Sequence, residues 1–357
     1  MQYFLTHSPV EFLFNKNEKN FVVEEIPLYE FSGSGEHLIL TIRKKGLTTF
    51  DALKRISETV GVKLRDIGYA GLKDKDGMTI QNVSIPKNFA DKINLLDGSD
   101  IKVLNTTYHN NKIKTGHLKG NRFYIKLKRV NPIDAKKIDE GIKKIVANGL
   151  PNYFGYQRFG RDGDNYLTGK AIIDGTKTIR NKEIRKLMIN AYQSHLFNSW
   201  LSKRVEISKI VEEFNLKELK SVLNYSEDKL KFLKSQPQFF KLFIGDVMKH
   251  YPYGKLFSAS EAEIERFANK DISPTGLLAG NNTMLSSDDA FEIEKEFVDK
   301  IDEFGDRRYA WIFIDQIEGK YREEEEWYEL GFFLPKGSYA TTLLRELVRT
   351  ELNEIDI

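Results

Sequence analysis

The sequence predicts an α+β protein in which a mainly helical segment interrupts a domain of mixed strands and helices. Three observations predict it. The first 160 residues alternate strand-like and helix-like segments without a βαβ repeat, helical periodicity dominates from about 161 to 306, and strand-like texture returns after that. Similar texture on both sides of a different middle is the mark of an insertion. The domains are therefore expected at 1–160 together with 307–357, and at 161–306.

Each element follows from a local pattern. FVVEE (21–25) reads as a strand, and so does HLILTIRKK (37–45), although its apolar run is too continuous for simple alternation. Thr48 or Thr49 is placed to cap a helix whose Phe50, Leu53, Ile56 and Val60 recur at spacings of three or four. TIQNVSIP (79–86) alternates with period two and stops at proline; NRFYIKLKRV (121–130) alternates too. A helix is expected from Pro132, with Ile138, Ile142, Ile145 and Val146 on one face and Gly149 as its stop. In the middle segment, helices are expected at roughly 180–206, 207–224, 259–269 and 288–304. YAWIFIDQI and EWYELGFFLP then read as strands and Ser338–Leu352 as a helix.

Composition narrows the function. The 357 residues contain no cysteine, which excludes disulfides and thiolate nucleophiles and removes the commonest zinc ligand. No apolar run approaches the roughly 20 residues that span a bilayer, and the N-terminus lacks the pattern of a signal peptide, so a cytoplasmic protein is expected. The six histidines show no metal-binding spacing, there is no P-loop, and Gly33-x-Gly35 is followed by Leu38 where a dinucleotide fingerprint needs glycine. No metal and no nucleotide cofactor are expected. The net charge is only +3, yet residues 101–130 hold eight basic side chains and no acidic one: Lys102, Lys112, Lys114, Lys119, Arg122, Lys126, Lys128 and Arg129. Such a stripe is the footprint of a polyanion partner, or a solvated face with its counter-charges elsewhere.

Two segments carry candidate chemistry. In GYAGLKDKDGMTIQ (68–81), Asp76-Gly77 is a favourable turn pair, which leaves Asp74 as the candidate reactive carboxylate beside Lys73, a cation able to keep it ionised. In LPNYFGYQRFGRDG (150–163), aromatic rings alternate with Asn152, Gln157 and Arg158, which suits an unstacked nucleobase: a ring to stack on, an amide for the base edge, a cation for phosphate. A packed connection between two elements would read the same way.

Together these segments resemble the tRNA pseudouridine synthase D (TruD) family. GLKDKDGMTIQ is similar to its signature, and NFVVEE, GHLKGNRF, PNYFGYQRFG and LPKGSYATTLLRE resemble further blocks in the family's order; AYQSHLFN and TGLLAG resemble blocks of its inserted domain. Two departures stand out. Asn15 and Glu18-Lys19-Asn20 occupy places where the family often has a lysine and Pro-Glu-Asp, with Lys16 as a candidate substitute, and Gly77 stands where alanine is usual. The resemblance implies a pseudouridine synthase core with a mixed, largely antiparallel sheet and flanking helices, interrupted by a family-specific insertion, with RNA held between them. It implies isomerisation of a D-arm uridine, position 13, in tRNA. It maps Asp74 as the catalytic aspartate and Phe21, Lys73, Asn152 and Phe154 as substrate-binding residues. Lys112, Lys114, Lys119, Arg122 and Arg158 are then the expected RNA contacts, on a monomer that needs no cofactor. A non-catalytic tRNA clamp on the same fold, and a glycoside hydrolase using two acids, are the competing readings.

Overall fold

Eight strands form one sheet in the order 317–322, 327–335, 118–128, 21–27, 78–86, 37–45 and 101–109, with the short strand Gly68–Tyr69 added beside 78–86. The computed structural model describes residues 1–73, 75–96 and 98–352. Every strand pair in the large sheet is antiparallel except Phe21–Pro27 against Met78–Pro86, which run parallel. The sheet lies within one compact unit, residues 10–139 and 316–337. The second unit comprises, among the described residues, 1–9, 140–315 and 338–352. These packing units part at 9/10, 139/140, 315/316 and 337/338, and the boundary at 139/140 falls inside the helix Pro132–Asn148.

In the sheet unit, the continuous apolar run of the strand His37–Lys45 is explained by two covered faces. Leu38, Leu40 and Ile42 pack under the helix Thr49–Val60 with its Ala52, Leu53, Ile56 and Val60, while Ile39 points the other way into a cluster with Ala70, Ile113 and Leu118. Each buried Leu, Ile or Val here contributes about 1.5–3 kcal/mol. The helix starts at a capping box: the Thr48 hydroxyl accepts from the Asp51 N–H, and the Asp51 carboxylate accepts from the Thr48 N–H. Phe50, expected on the buried face, is 58% exposed and meets Tyr69 edge-on; Thr49 and Ala52 take the inward places instead. At 118–128, Phe123, Ile125 and Leu127 face inward and alternate with Arg122, Tyr124, Lys126 and Lys128.

The other unit is organised by one 32-residue helix, Lys182–Glu213, which runs straight through the break expected near 207. The helix Asn165–Ile173 and the strand Ile272–Leu278 pack along it. Shorter helices follow at Leu216–Leu223 and Glu227–Ser235. This region is less purely helical than expected: strands Val247–His250, Leu256–Ser258, Ile272–Leu278 and Asp306–Tyr309 form a second sheet, and Leu150–Pro151 pairs with Trp311–Ile312. Two buried ion pairs sit in this core. Arg204 grips Asp246 through both guanidinium ends, at 2.6 and 2.7 Å, and Arg307 meets Glu294 at 2.7 Å. Among the described residues, no helix is long and apolar enough to cross a membrane.

The helix Ala340–Val348 carries a buried carboxylate, Glu346, that accepts hydrogen bonds from the Phe4 and Leu5 N–H groups at 2.9 and 3.2 Å. Burial pushes its pKa up to about 7 despite those bonds and the nearby Arg345. A carboxyl that titrates higher in the folded chain than in the unfolded one favours folding at low pH, and that contribution disappears as pH rises through the folded value. Stability should therefore fall by roughly 2–4 kcal/mol between pH 4.5 and 8 on this group's account. Glu346→Gln, which keeps the acceptor, should flatten that part of a pH series of urea denaturation curves.

Candidate active site

In the sheet unit, the candidate site is built around Lys73. Its ammonium is nearly buried, 3.2 Å from the Glu25 carboxylate and 2.8 Å from the Asn121 side-chain oxygen. Glu25 and Asn121 are direct partners across the strands 21–27 and 118–128, so the sheet register itself builds this socket. Burial pushes the Glu25 pKa up, opposed by the Lys73 ammonium and by backbone N–H groups of Asn82 and Gly71. Gly71 leaves room for the pair: a Cβ there would lie 2.8 Å from the ammonium and 3.0 Å from the carboxylate.

The Lys73 backbone is held as firmly. Its N–H donates to the Thr49 hydroxyl at 2.8 Å, and its carbonyl accepts from the Thr49 N–H at 3.2 Å. Thr49 in turn donates to the Gln81 side chain at 3.1 Å, linking the start of the helix to the strand 78–86. Lys73 thus spends its charge within the fold. Asp74 itself lies outside the described residues. On the far side of the turn, Gly77 has φ +90°, and a Cβ there would lie 2.6 Å from the Phe21 carbonyl oxygen. The departure from the family's alanine is thus a matter of backbone approach to Phe21 as well as of the turn. The Phe21 ring is half-buried against Phe14 and Phe123, with the Lys16 ammonium 5.2 Å from its centre.

In the helical unit, Asn152 and Phe154 gather around Arg308. Strand alternation explains why: along Asp306–Tyr309, Arg307 points to the buried pair with Glu294 and Arg308 points the opposite way. Arg308 donates to the Asn152 carbonyl at 3.1 Å and to its side-chain oxygen at 2.9 Å, while the Asn152 amide donates to the Tyr309 carbonyl at 2.9 Å. The Asn152 side chain keeps one N–H and one lone pair beyond these bonds. The Arg308 guanidinium stacks 4.0 Å from the Phe154 ring centre, and burial pushes its pKa down to about 10. Phe154 is therefore a covered ring, 6% exposed, with Phe197, Tyr339 and Arg158 around it.

The structure brings Asn152 and Phe154 together as expected but adds two residues that sequence reading missed. Arg308 sits in DRRY, which has no motif; Tyr339 sits in the block LPKGSYATTLLRE, where it had no assigned role. Arg158 is also less free than expected, since its Nε donates to the Ser194 hydroxyl at 3.0 Å. Of the other basic candidates, Lys114 and Lys119 are exposed, Arg122 is exposed and pairs with Glu24 at 3.3 Å, and Lys112 turns its ammonium to the Arg65 carbonyl. Among the described residues, no group of three or more His, Asp or Glu side chains is arranged to hold a metal ion.

The chain matches the sequence model of the family described as tRNA pseudouridine synthase D (TruD), over residues 1–180 and 177–347. It is 54% identical to the tRNA pseudouridine synthase D of Nitratiruptor sp. over 98% of both chains. To that of Sulfurimonas denitrificans it is 53% identical, over 98% of this chain and 99% of the other. A crystal structure from Methanosarcina mazei bearing the TruD description superposes with a TM-score of 0.68 at 20% identity, covering 100% of this chain and 97% of that one. At that identity the likeness speaks for the fold alone.

The buried Lys73–Glu25 pair yields a test of its own. Removing one partner leaves an uncompensated buried charge, so Glu25→Ala should destabilise the protein by about 3–5 kcal/mol. The double substitution Glu25→Leu with Lys73→Met should recover most of that in chemical denaturation. If Glu25→Ala costs less than 1 kcal/mol, the pair does not hold this loop.

Proposed function

Because the chain belongs to the tRNA pseudouridine synthase D family, we propose that it isomerises a uridine of tRNA to pseudouridine. The observation that carries this reading is the Lys73 socket inside the family's signature segment. The residue immediately before Asp74 is fixed through its backbone and its side chain alike. A carboxylate asked to attack or deprotonate a nucleotide gains from such a fixed starting point, because positioned groups forgo the entropy of finding their target.

In the proposed reaction the C1′–N1 bond breaks, the uracil turns, and a C1′–C5 bond forms. The proton leaves C5 and N1 gains one, so atoms and electrons balance without redox or nucleotide energy. Asp74 is the catalytic carboxylate, acting at C1′, at uracil C6, or on a sugar proton. The uridine must leave its stack first, which costs a few kcal/mol. Phe21, Asn152 and Phe154 are proposed to receive it. Asn152 would use its remaining N–H and lone pair on the uracil edge, and Phe154, a covered ring, would act by seating Arg308 and with it Asn152. Lys73 acts by position, its ammonium being committed to Glu25 and Asn121. Lys114, Lys119 and Arg122, with Lys112 and Arg158 as flanking cations, would meet phosphates. We further propose the family division into a catalytic domain (1–160 and 307–357) and an insertion (161–306), position 13 of the D arm as target, and a cytoplasmic, monomeric enzyme without cofactor.

The test is pseudouridine mapping by carbodiimide modification and primer extension on unmodified tRNA. Wild-type protein should create one new stop in the D arm; Asp74→Asn should create none while binding tRNA within about threefold of wild type. Asp76→Asn should remain active, and a dead enzyme there would exchange the roles of the two aspartates. Tight tRNA binding with no stop would favour the clamp. Lys114→Ala with Lys119→Ala should lower the slope of log affinity against log salt by about 1–2, and an unchanged slope would place both lysines outside the interface.

A further inference from the structure

A second opening lies in the helical unit, and nothing in the reaction above uses it. It has a volume of about 280 Å³ and is walled by Met1, Phe159, Tyr166, His195, Asn198, Ser199 and Ser202. Tyr166, on the helix Asn165–Ile173, and His195, on the helix Lys182–Glu213, stack face to face with ring centres 3.9 Å apart and planes within 6°. Phe159 stands edge-on to Tyr166 at 6.3 Å. Gly163, which also lines the space, has φ +72°, and a Cβ there would meet nothing within 4 Å, so the loop 160–163 leaves the mouth clear.

The wall chemistry suits a flat heterocycle. Among the described residues, neither the His195 imidazole nor the Ser199 hydroxyl makes a side-chain hydrogen bond, and no carboxylate lines the pocket. Burial pushes the His195 pKa down, which keeps the ring neutral, with one donor nitrogen and one acceptor. Arg161 is exposed in the loop that follows Phe159. Asn198 couples the pocket to the candidate active site. Its side-chain oxygen accepts from the Phe154 N–H at 2.8 Å, and its amide donates to the Phe154 carbonyl at 3.0 Å, while the same residue walls the pocket.

We propose that the pocket beside the stacked Tyr166 and His195 holds a second unstacked nucleobase of the same RNA, distinct from the uridine that reacts. The proposal rests on the reading of tRNA as substrate. The stack gives the base a ring to lie against, Ser199 meets its edge, and Asn198 ties its arrival to the placement of Phe154. The residues of this pocket are specificity-determining and touch no reacting atom.

An abasic scan of the D arm tests it, with tRNA affinity and single-turnover rate both measured. At one position other than the target, loss of the base should weaken wild-type binding by about tenfold. In His195→Ala the same lesion should have no further effect. Ser199→Trp, which fills the opening, should reproduce the loss, and Tyr166→Leu provides an independent variant if the tryptophan impairs folding. The proposal is overturned if folded His195→Ala and Tyr166→Leu bind intact tRNA as wild type does, or if the penalties of lesion and variant simply add at every position. Non-additive binding without any pseudouridine would keep the pocket and overturn the isomerase reading; pseudouridine formation with additive penalties throughout would do the reverse.

Discussion

The buried contact between Lys73 and Glu25 is the constraint on which the candidate catalytic segment depends. An ammonium and a carboxylate taken out of water are costly, and close pairing together with hydrogen bonds offsets that cost. Here the sheet register supplies Asn121 as the third member, Gly71 clears the space, and backbone N–H groups serve the carboxylate. Thr49 clamps the Lys73 backbone from both sides and joins it to Gln81. Strand, helix start and signature loop are thereby one connected network. An apolar plug would fill the same volume, but it would not orient the loop.

Arg308 plays a comparable part in the other unit. Its planar fork spans the backbone and side-chain oxygens of Asn152 while its face lies on Phe154, a combination that lysine cannot reproduce. The neighbouring Arg307, sent to the opposite side by strand alternation, anchors the same strand through Glu294 and Thr275. One arginine thus fixes the strand, and the next arranges the aromatic and amide groups proposed to meet the base.

Much of this fold was legible because its signals are local. The strand His37–Lys45, the capped helix after Thr48, and the helix from Pro132 to its glycine stop follow from apolar spacing and end residues. The parallel pairing of 21–27 with 78–86 was not legible, since partner choice across some fifty residues leaves no local trace. Nor was the unbroken course of Lys182–Glu213. Its buried side chains include Gln193, Ser194, Asn198 and Arg204, so polar residues sit where periodicity expects apolar ones. The short strands of the second sheet, one carrying Pro274 and Gly276, gave too little pattern to register. In the site, residue types were readable and partnerships were not: Lys73 looked like a companion for Asp74, and its ammonium instead belongs to Glu25 and Asn121.

The central claim is a rearrangement that leaves the mass of the RNA unchanged but replaces the hydrogen at uracil C5. The most direct measurement is therefore release of tritium to water from tRNA labelled at C5 of its uridines, with purified wild-type protein and no added cofactor. The account predicts release that plateaus at one equivalent per tRNA. Stoichiometric tRNA binding with no release of label above background would contradict it.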